Sequence, residues 1–533
     1  MSDLPTRLDH LGPSIEKLTK IGGTPGASIG VLYGDKPAYV AQYGVRDVEA
    51  ALPINQETMF TAGSLTKALT AAALGIIIDE GQATWDTLVK DVLPSFKSRD
   101  ETLQNHVTLT DILSHRTGMS WADNLWIGTA SNVLISSEDA MKYINNQTLL
   151  LPFRAQFAYS NLCYELAGHV IEALSGQSYF DFVQTRIFDP LGMSRTFLKT
   201  PPASIDNRAS CYNTLDDLST VPIPCAKTGD DWFGGPTGGL RSCVRDLLKL
   251  YRAFLTGYND QFSSGKSSTE GSPLKQVTHL MSAKIPMDQP SRNEASYALG
   301  WGRVQLPGKM GQIGINPGLL PNGMPTIAKG VPGQLVIFHQ GSLPGALTIA
   351  ILVPDKDVAI VVLTNSLALN DVPDWIGQLI LEEILEVPPS ERVDFIKSAE
   401  ACVPENLRWY PELIKELKNT RKNDTVARDL EEYVGTYWDD IRTFKIVVIL
   451  EQGKLHWAFQ GLDSEKFELS HYEDDTFLWL APRNELSRRG RWVGSDQGPD
   501  FWKAKFKAAS DAKVDKLYWS HDQGVPPVEY TKE

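Results

Sequence analysis

The run Leu65–Glu80 (LTKALTAAALGIIIDE) constrains this chain most. Its Ala and Leu content predicts a helix that Gly81 stops, and up to Ile78 its sole charge is Lys67. A helix that is apolar on every side cannot lie on a surface, so a large core must enclose it. The chain can supply one: its 533 residues are 42% hydrophobic and 22% charged, an ordinary globular composition with length for more than one domain.

The pattern around that helix sets the architecture. Leu8, Leu11, Ile15, Leu18 and Ile21 recur at helical spacing over residues 8–22, ended by Pro25-Gly26. Ala27–Tyr33 and Ala38–Tyr43 read as a hairpin across Gly34-Asp35-Lys36-Pro37. Helical segments dominate to about residue 200, among them Leu109–Ser114, Ser137–Tyr143 and Leu162–Ala173. Residues 303–333 are rich in Gly and Pro, contain few charges, and read as a long loop, functional or mobile. Leu335–Phe338, Ala346–Val353 and Val358–Thr364 read as strands, followed by a closing helix, Trp375–Leu385. Residues 386–424 are charged, helical in pattern, and read as a linker. Beyond 425, aromatic and β-branched residues alternate with polar ones in short runs, which predicts an antiparallel sheet or small barrel. The expected division is a catalytic domain over 1–385, a linker over 386–424 and a barrel over 425–533.

Charge and cysteine usage narrow the function. The net charge of −14, with no offsetting basic run, disfavours nucleic acid and anionic membrane surfaces. The five cysteines (163, 211, 225, 243, 402) include no C-x-x-C pair and read as reduced thiols of a cytoplasmic protein. The start Met1-Ser2-Asp3-Leu4-Pro5-Thr6-Arg7 lacks the basic-then-apolar pattern of a secretory signal, so a cell-wall role is not expected. No apolar run reaches the ~20 residues of a membrane span. The nine histidines lack zinc-site spacing, and no phosphate loop or dinucleotide fingerprint stands out, so neither metal nor cofactor is expected.

Three short motifs carry chemistry. Ser64-Leu65-Thr66-Lys67 is S-x-x-K at the head of the buried helix. Three-residue spacing puts both side chains on one face, so the lysine nitrogen can reach the serine hydroxyl. A serine hydroxyl is a weak nucleophile until a neighbouring base takes its proton, and the helix N-terminus favours the developing anion. Tyr159-Ser160-Asn161 offers a phenol near Lys67, whose cation would lower the tyrosine pKa, and an amide for the lysine or the substrate. The same segment also reads as a helix N-cap. His339-Gln340-Gly341 ends an apolar strand, where a glycine lets a substrate lie close.

In order, S-x-x-K, Y-S-N and H-x-G resemble the serine β-lactamase and penicillin-binding-protein superfamily, closest to class C β-lactamases, D-aminopeptidases and related esterases and acyltransferases. Leu113–Met119 (LSHRTGM), Asp189–Met193 (DPLGM), Gly234–Leu240 (GGPTGGL) and Tyr297–Trp301 (YALGW) strengthen the resemblance, which spans about 8–385. It implies an α/β (α+β) catalytic domain: an antiparallel sheet built from both chain ends, flanked by helices, with an inserted helical lobe. The C-terminal region resembles the lipocalin-like barrel of some members. The resemblance further implies that Ser64 is acylated, that Lys67 and Tyr159 move protons, and that Asn161, His339, Gly341 and Ser342 bind substrate or, through the amides of Ser64 and Ser342, the oxyanion.

One departure bears on substrate choice. Where class C β-lactamases carry Lys-Thr-Gly, this chain has His339, mostly neutral at pH 7. Neutral esters, thioesters or amides are therefore expected over β-lactams and D-Ala-D-Ala peptides. Lys227-Thr228-Gly229 spells the missing motif but precedes the glycine-rich segment and reads as a surface turn; Arg241 and Arg245 read as surface or helix-capping residues. Gly26-Ala27-Ser28-Ile29-Gly30 matches a nucleophile elbow, but strand-like residues follow where a helix is required. The expected function is a serine hydrolase of specialised metabolism acting on a small molecule. Acyl transfer to an alcohol or amine, and an inactive binding or scaffold protein, are the alternatives. Self-association into a homo-oligomer stays open.

Overall fold

The computed structural model describes residues 3–229, 231–287, 291–494, 497–508 and 513–533. Its centre is a nine-stranded antiparallel sheet in the order 52–53, 39–47, 26–33, 358–364, 346–353, 334–343, 302–306, 295–297, 285–286. The hairpin near the N-terminus therefore pairs with a strand more than 300 residues later, Ala27 opposite Thr364 and Tyr33 opposite Val358. The sheet is built from both ends of the catalytic region, and the mostly helical stretch between them forms a lobe beside it.

Side chains alternate across this sheet with period two. Ile337, Ala350, Leu352, Ala359, Val361 and Leu363 face the helices Thr66–Asp79 and Val244–Ser264. Val336, Phe338, Ile349, Ile351, Ile360 and Val362 face Gly12–Gly22, Val372–Ile384 and the first half of Phe395–Thr420. With both faces covered, the strands carry near-continuous apolar runs. The helix Thr66–Asp79 is buried from Thr66 to Ile77, as its composition requires.

Three expectations change. Residues 303–333 are not one loop, because Gly302–Leu306 is a sheet strand paired with Gln334–Phe338. Residues 386–424 hold a 26-residue helix, Phe395–Thr420, with both halves packed. Phe395, Ala399 and Cys402 join the sheet's core, while Trp409, Leu413 and Leu417 join the core that runs into the barrel. Cys211 and Cys225 form a disulfide, their Cα atoms 5.4 Å apart, rather than free thiols. Strand Cys211–Thr214 pairs with Thr220–Ile223, Cys211 opposite Ile223, and the chain carries Cys225 back to Cys211 just beyond that strand, so cysteine usage does not argue for a reducing compartment.

Eight antiparallel strands from Gly435–Trp438 to Val528–Lys532 close into a barrel, which removes all free edges. Its interior is filled by aromatic rings, with Trp457, Trp479, Trp502 and Trp519 all fully buried. Among the described residues, no helix is long and apolar enough to cross a membrane.

Candidate active site

The strand Phe60–Gly63 delivers Ser64 to the head of the buried helix. Gly63 makes the bend with φ of +54°, a left-handed conformation that suits glycine. Ser64 is half-buried and Lys67 fully buried. The Lys67 Nζ lies 3.0 Å from Ser64 Oγ, 2.8 Å from Asn161 Oδ1 and 2.9 Å from the Thr237 carbonyl oxygen. The last two partners can only accept, so they take two of the amine hydrogens and leave its third direction aimed at the serine. Burial lowers the Lys67 pKa to about 7, and nearby Asp123 works against that shift. A large share of Lys67 is therefore neutral at physiological pH, with a lone pair available for the Ser64 proton.

Tyr159 lies across the lysine, whose Nζ is 4.8 Å from its ring centroid. Behind it, the buried His115 packs its ring 4.2 Å from the tyrosine ring and accepts the Ser160 N–H on Nδ1 at 3.0 Å. Burial pushes the Tyr159 phenol well above its usual range, and interaction with Ser64 offsets this only in part. This direction is opposite to the sequence expectation of a tyrosine acidified by Lys67, and desolvation is its largest cause. The Tyr159 phenol thus keeps its proton beside a lysine whose pKa burial has lowered.

Gly341 runs against this corner. A Cβ placed on it would lie 2.3 Å from the Ala62 carbonyl oxygen and 3.1 Å from the Ser64 nitrogen, and one on Gly63 would lie 3.2 Å from the Ser342 nitrogen. The two glycines thus bring the amides of Ser64 and Ser342 to one place. His339 does not join them. It is fully buried, its Nδ1 donates to the Gln340 carbonyl at 2.6 Å, and its Nε2 accepts from the Tyr297 hydroxyl at 2.9 Å. Burial lowers its pKa to about 3, so it stays neutral, but no ring atom is left for a substrate. The substrate-binding role expected for His339 is corrected to that of a support behind Tyr159 and Tyr297.

The cleft over Ser342, Tyr159 and Asn161 has a volume of about 690 Å³. Trp121, Asp123, Asn124 and Ile127 form one wall, and Trp492, Asp522, Gln523 and Gly524 from the barrel region form another. Trp492 also borders a neighbouring cavity of about 270 Å³. Sequence reading missed Asp123, His115 and Thr237 as site residues, together with the whole barrel wall. His115 and Thr237 lie within segments that carried the resemblance; Asp123, Trp492 and Asp522 have no local signature. The decoys fall elsewhere. Ser28 is fully buried inside strand Gly26–Tyr33, and the buried Arg241 holds the loop containing Lys227-Thr228-Gly229 by donating to the carbonyls of Ala226 and Thr228. Arg241 is therefore not a surface residue, whereas Arg245 is partly exposed and paired with Glu57. Among the described residues, no cluster of three or more His, Cys, Asp or Glu is disposed to hold a metal.

A buried S-x-x-K pair, a tyrosine against its lysine and a glycine-edged strand, at the junction of an antiparallel sheet and a helical lobe, define the class of serine β-lactamases and penicillin-binding proteins. The chain belongs to the Beta-lactamase family, whose pattern matches residues 14–381. Residues 419–529 match a domain of unknown function, DUF3471. Among characterised relatives, the unguisins hydrolase ungD' of Aspergillus campestris is 27% identical over 439 residues, covering 78% of this chain and 72% of its own length. The octameric penicillin-binding protein homologue from Pyrococcus abyssi shares the fold over 98% of this chain and 99% of its own, at 20% identity and a TM-score of 0.58. The class C β-lactamase from Rhodobacter sphaeroides covers 71% of this chain and 99% of its own, at 21% identity and a TM-score of 0.56.

Proposed function

We propose that this protein is a serine hydrolase that cleaves a neutral ester, thioester or amide through an acyl group carried on Ser64. The observation that carries this reading is the buried Lys67, its nitrogen 3.0 Å from Ser64 Oγ and its pKa brought down to about 7. Neutral Lys67 takes the hydroxyl proton as Ser64 attacks the carbonyl. The Ser64 and Ser342 amides stabilise the oxyanion. Tyr159, protonated in the resting site, gives its proton to the leaving alkoxide, thiolate or amine and regains one from Lys67. Water, activated by the same pair, then releases the acyl group.

Among the described residues that border the cleft, Asp123 and Asp522 are acidic and none is Lys, Arg or His, which favours substrates without a carboxylate near the scissile bond. The likeness to a hydrolase named for unguisins supports a role in specialised metabolism. The cleft also has room for an acceptor alcohol or amine beside the acyl group, the arrangement that acyl transfer needs. Incubation with p-nitrophenyl butyrate, acid quench and peptide mass spectrometry tests the reading. An acyl adduct on the Ser64 peptide, absent in Ser64→Ala, is expected; turnover without that adduct would refute it. Adding an alcohol or amine then separates hydrolysis from transfer by the product formed.

A further inference from the structure

We propose that Asp123 is a positioning residue for the Ser64–Lys67 pair: it fixes which way the Asn161 amide points, and the C-terminal barrel holds it in place through Asp522. This rests on the Ser64 acylation proposed above. Both ends of the Asn161 amide are engaged. Its Oδ1 accepts from Lys67 Nζ and from Thr237 Oγ1, each at 2.8 Å. Its Nδ2 donates to both carboxylate oxygens of Asp123, at 3.1 and 3.2 Å. Turning the amide over would take from Lys67 and Thr237 the oxygen that accepts from both and would set that oxygen against the carboxylate. Asp123 therefore selects the orientation that gives Lys67 an acceptor and leaves its remaining direction for Ser64.

Asp123 is in turn held from outside the catalytic lobe. Ala122, just before it, has φ of +48°, a conformation that alanine keeps only when its surroundings enforce it. The Tyr143 hydroxyl donates to the Ala122 carbonyl at 2.9 Å, and Trp126 Nε1 donates to Asp123 Oδ1 at 3.0 Å. The next residue, Asn124, is gripped by the barrel region: its backbone N–H and its side chain donate to the two oxygens of Asp522 at 3.2 and 3.0 Å, and Gln497 donates to its side-chain oxygen at 3.1 Å.

The charges give a test with a sign. Lys67, Asp522 and the phenols of Tyr159 and Tyr143 face Asp123; His115 and His339 also face Lys67; His521 and Arg491 face Asp522. Burial raises the Asp123 pKa to about 7, with repulsion from Asp522 the next largest cause. An ionised Asp123 favours protonated Lys67, and Asp522 opposes that ionisation. Asp123→Asn removes the charge but keeps an oxygen to accept from Asn161, so the acid limb of Ser64 acylation should move to lower pH, by roughly one unit. Asp522→Asn lets Asp123 ionise more easily, so the limb should move to higher pH. Asp123→Ala removes charge and acceptor together and should lower the plateau rate by roughly tenfold or more, beyond the loss in Asp123→Asn.

The experiment measures acylation of the full-length chain by p-nitrophenyl acetate from pH 5 to 9, using quenched mass spectrometry, with a melting curve for each variant. Opposite shifts in Asp123→Asn and Asp522→Asn are expected, because general loss of structure cannot move one limb in two directions. Limbs that stay in place, or move together, overturn the proposal. If Asp522→Asn melts early, Asp123→Asn decides alone, since an unmoved limb there overturns it. A wild type that carries no acyl group on Ser64 removes the underlying reading and this proposal with it; a labelled wild type with unmoved limbs removes this proposal only.

Discussion

Gly341→Ala tests the oxyanion corner with the smallest possible change. The new Cβ would sit 2.3 Å from the Ala62 carbonyl oxygen and 2.4 Å from Thr348 Oγ1. These neighbours have little room to move: Thr348 Oγ1 is itself bonded to the Ala62 oxygen at 2.9 Å, and the strand carrying Ala62 pairs with Leu240–Ser242. Restoring ordinary contact distances of about 3.5 Å requires the strands to separate by roughly 1 Å. Because Ser64 follows that strand directly, its amide moves with it. A displacement of about 1 Å at the reacting centre costs roughly 100-fold in rate, and loss of one oxyanion donor costs roughly 100- to 1,000-fold. The same overpacking should cost only about 1–3 kcal/mol of stability. A folded enzyme with kcat reduced about 100-fold is therefore expected from steady-state hydrolysis of p-nitrophenyl butyrate and a melting curve. Wild-type kcat in a protein that melts normally would show that Gly341 is not beside the oxyanion, and a rate per folded molecule that is unchanged would show the same.

Four further outcomes follow from the structure. Lys67 must be neutral to accept the Ser64 proton, so acylation should rise roughly tenfold between pH 6 and 8, its midpoint near the lowered lysine pKa of about 7; a flat profile would exclude Lys67 as the base. The same shift has a sign in stability: the unfolded chain holds the lysine proton up to its ordinary value of 10.5 and the folded chain only to about 7, so burying Lys67 destabilises fully below pH 7 and progressively less toward 10.5, a dependence that Lys67→Met should remove in urea melts. His339→Lys would force a cation into a sealed position beside Lys67, so it and His339→Ala should lower melting temperature and all activities alike; a selective gain on carboxylated esters would refute the packed-support reading. Removing residues 425–533 would expose Trp409, Leu413 and Leu417 and deprive Thr129 and Asn132 of Glu465, so a soluble catalytic region with much reduced acylation is expected; full activity would show that the barrel wall is dispensable.

Local rules were enough to locate much of the fold. Period-two and helical patterns located the hairpin 26–47, the strands from 334 to 364 and the buried helix. The three-residue spacing of Ser64 and Lys67 at the head of that helix put the lysine nitrogen within reach of the serine hydroxyl, and the two are in contact. The strand Gly302–Leu306 escaped notice because its glycine- and proline-rich surroundings mask a register set by a distant partner strand, Gly302 opposite Phe338. The disulfide was illegible for a related reason: pairing of Cys211 with Cys225 depends on a hairpin that only folding fixes. The ionisation states needed tertiary structure throughout. Composition makes Tyr159 an acid beside a cation and His339 a free imidazole, but desolvation reverses the first and internal hydrogen bonds occupy the second. The far wall of the cleft was decided wholly by the tertiary fold. Asp123 and Asp522 stand almost 400 residues apart, neither lies in a motif, and only the docking of the barrel onto the loop around Asn124 brings Asp522 to the carboxylate that faces Lys67.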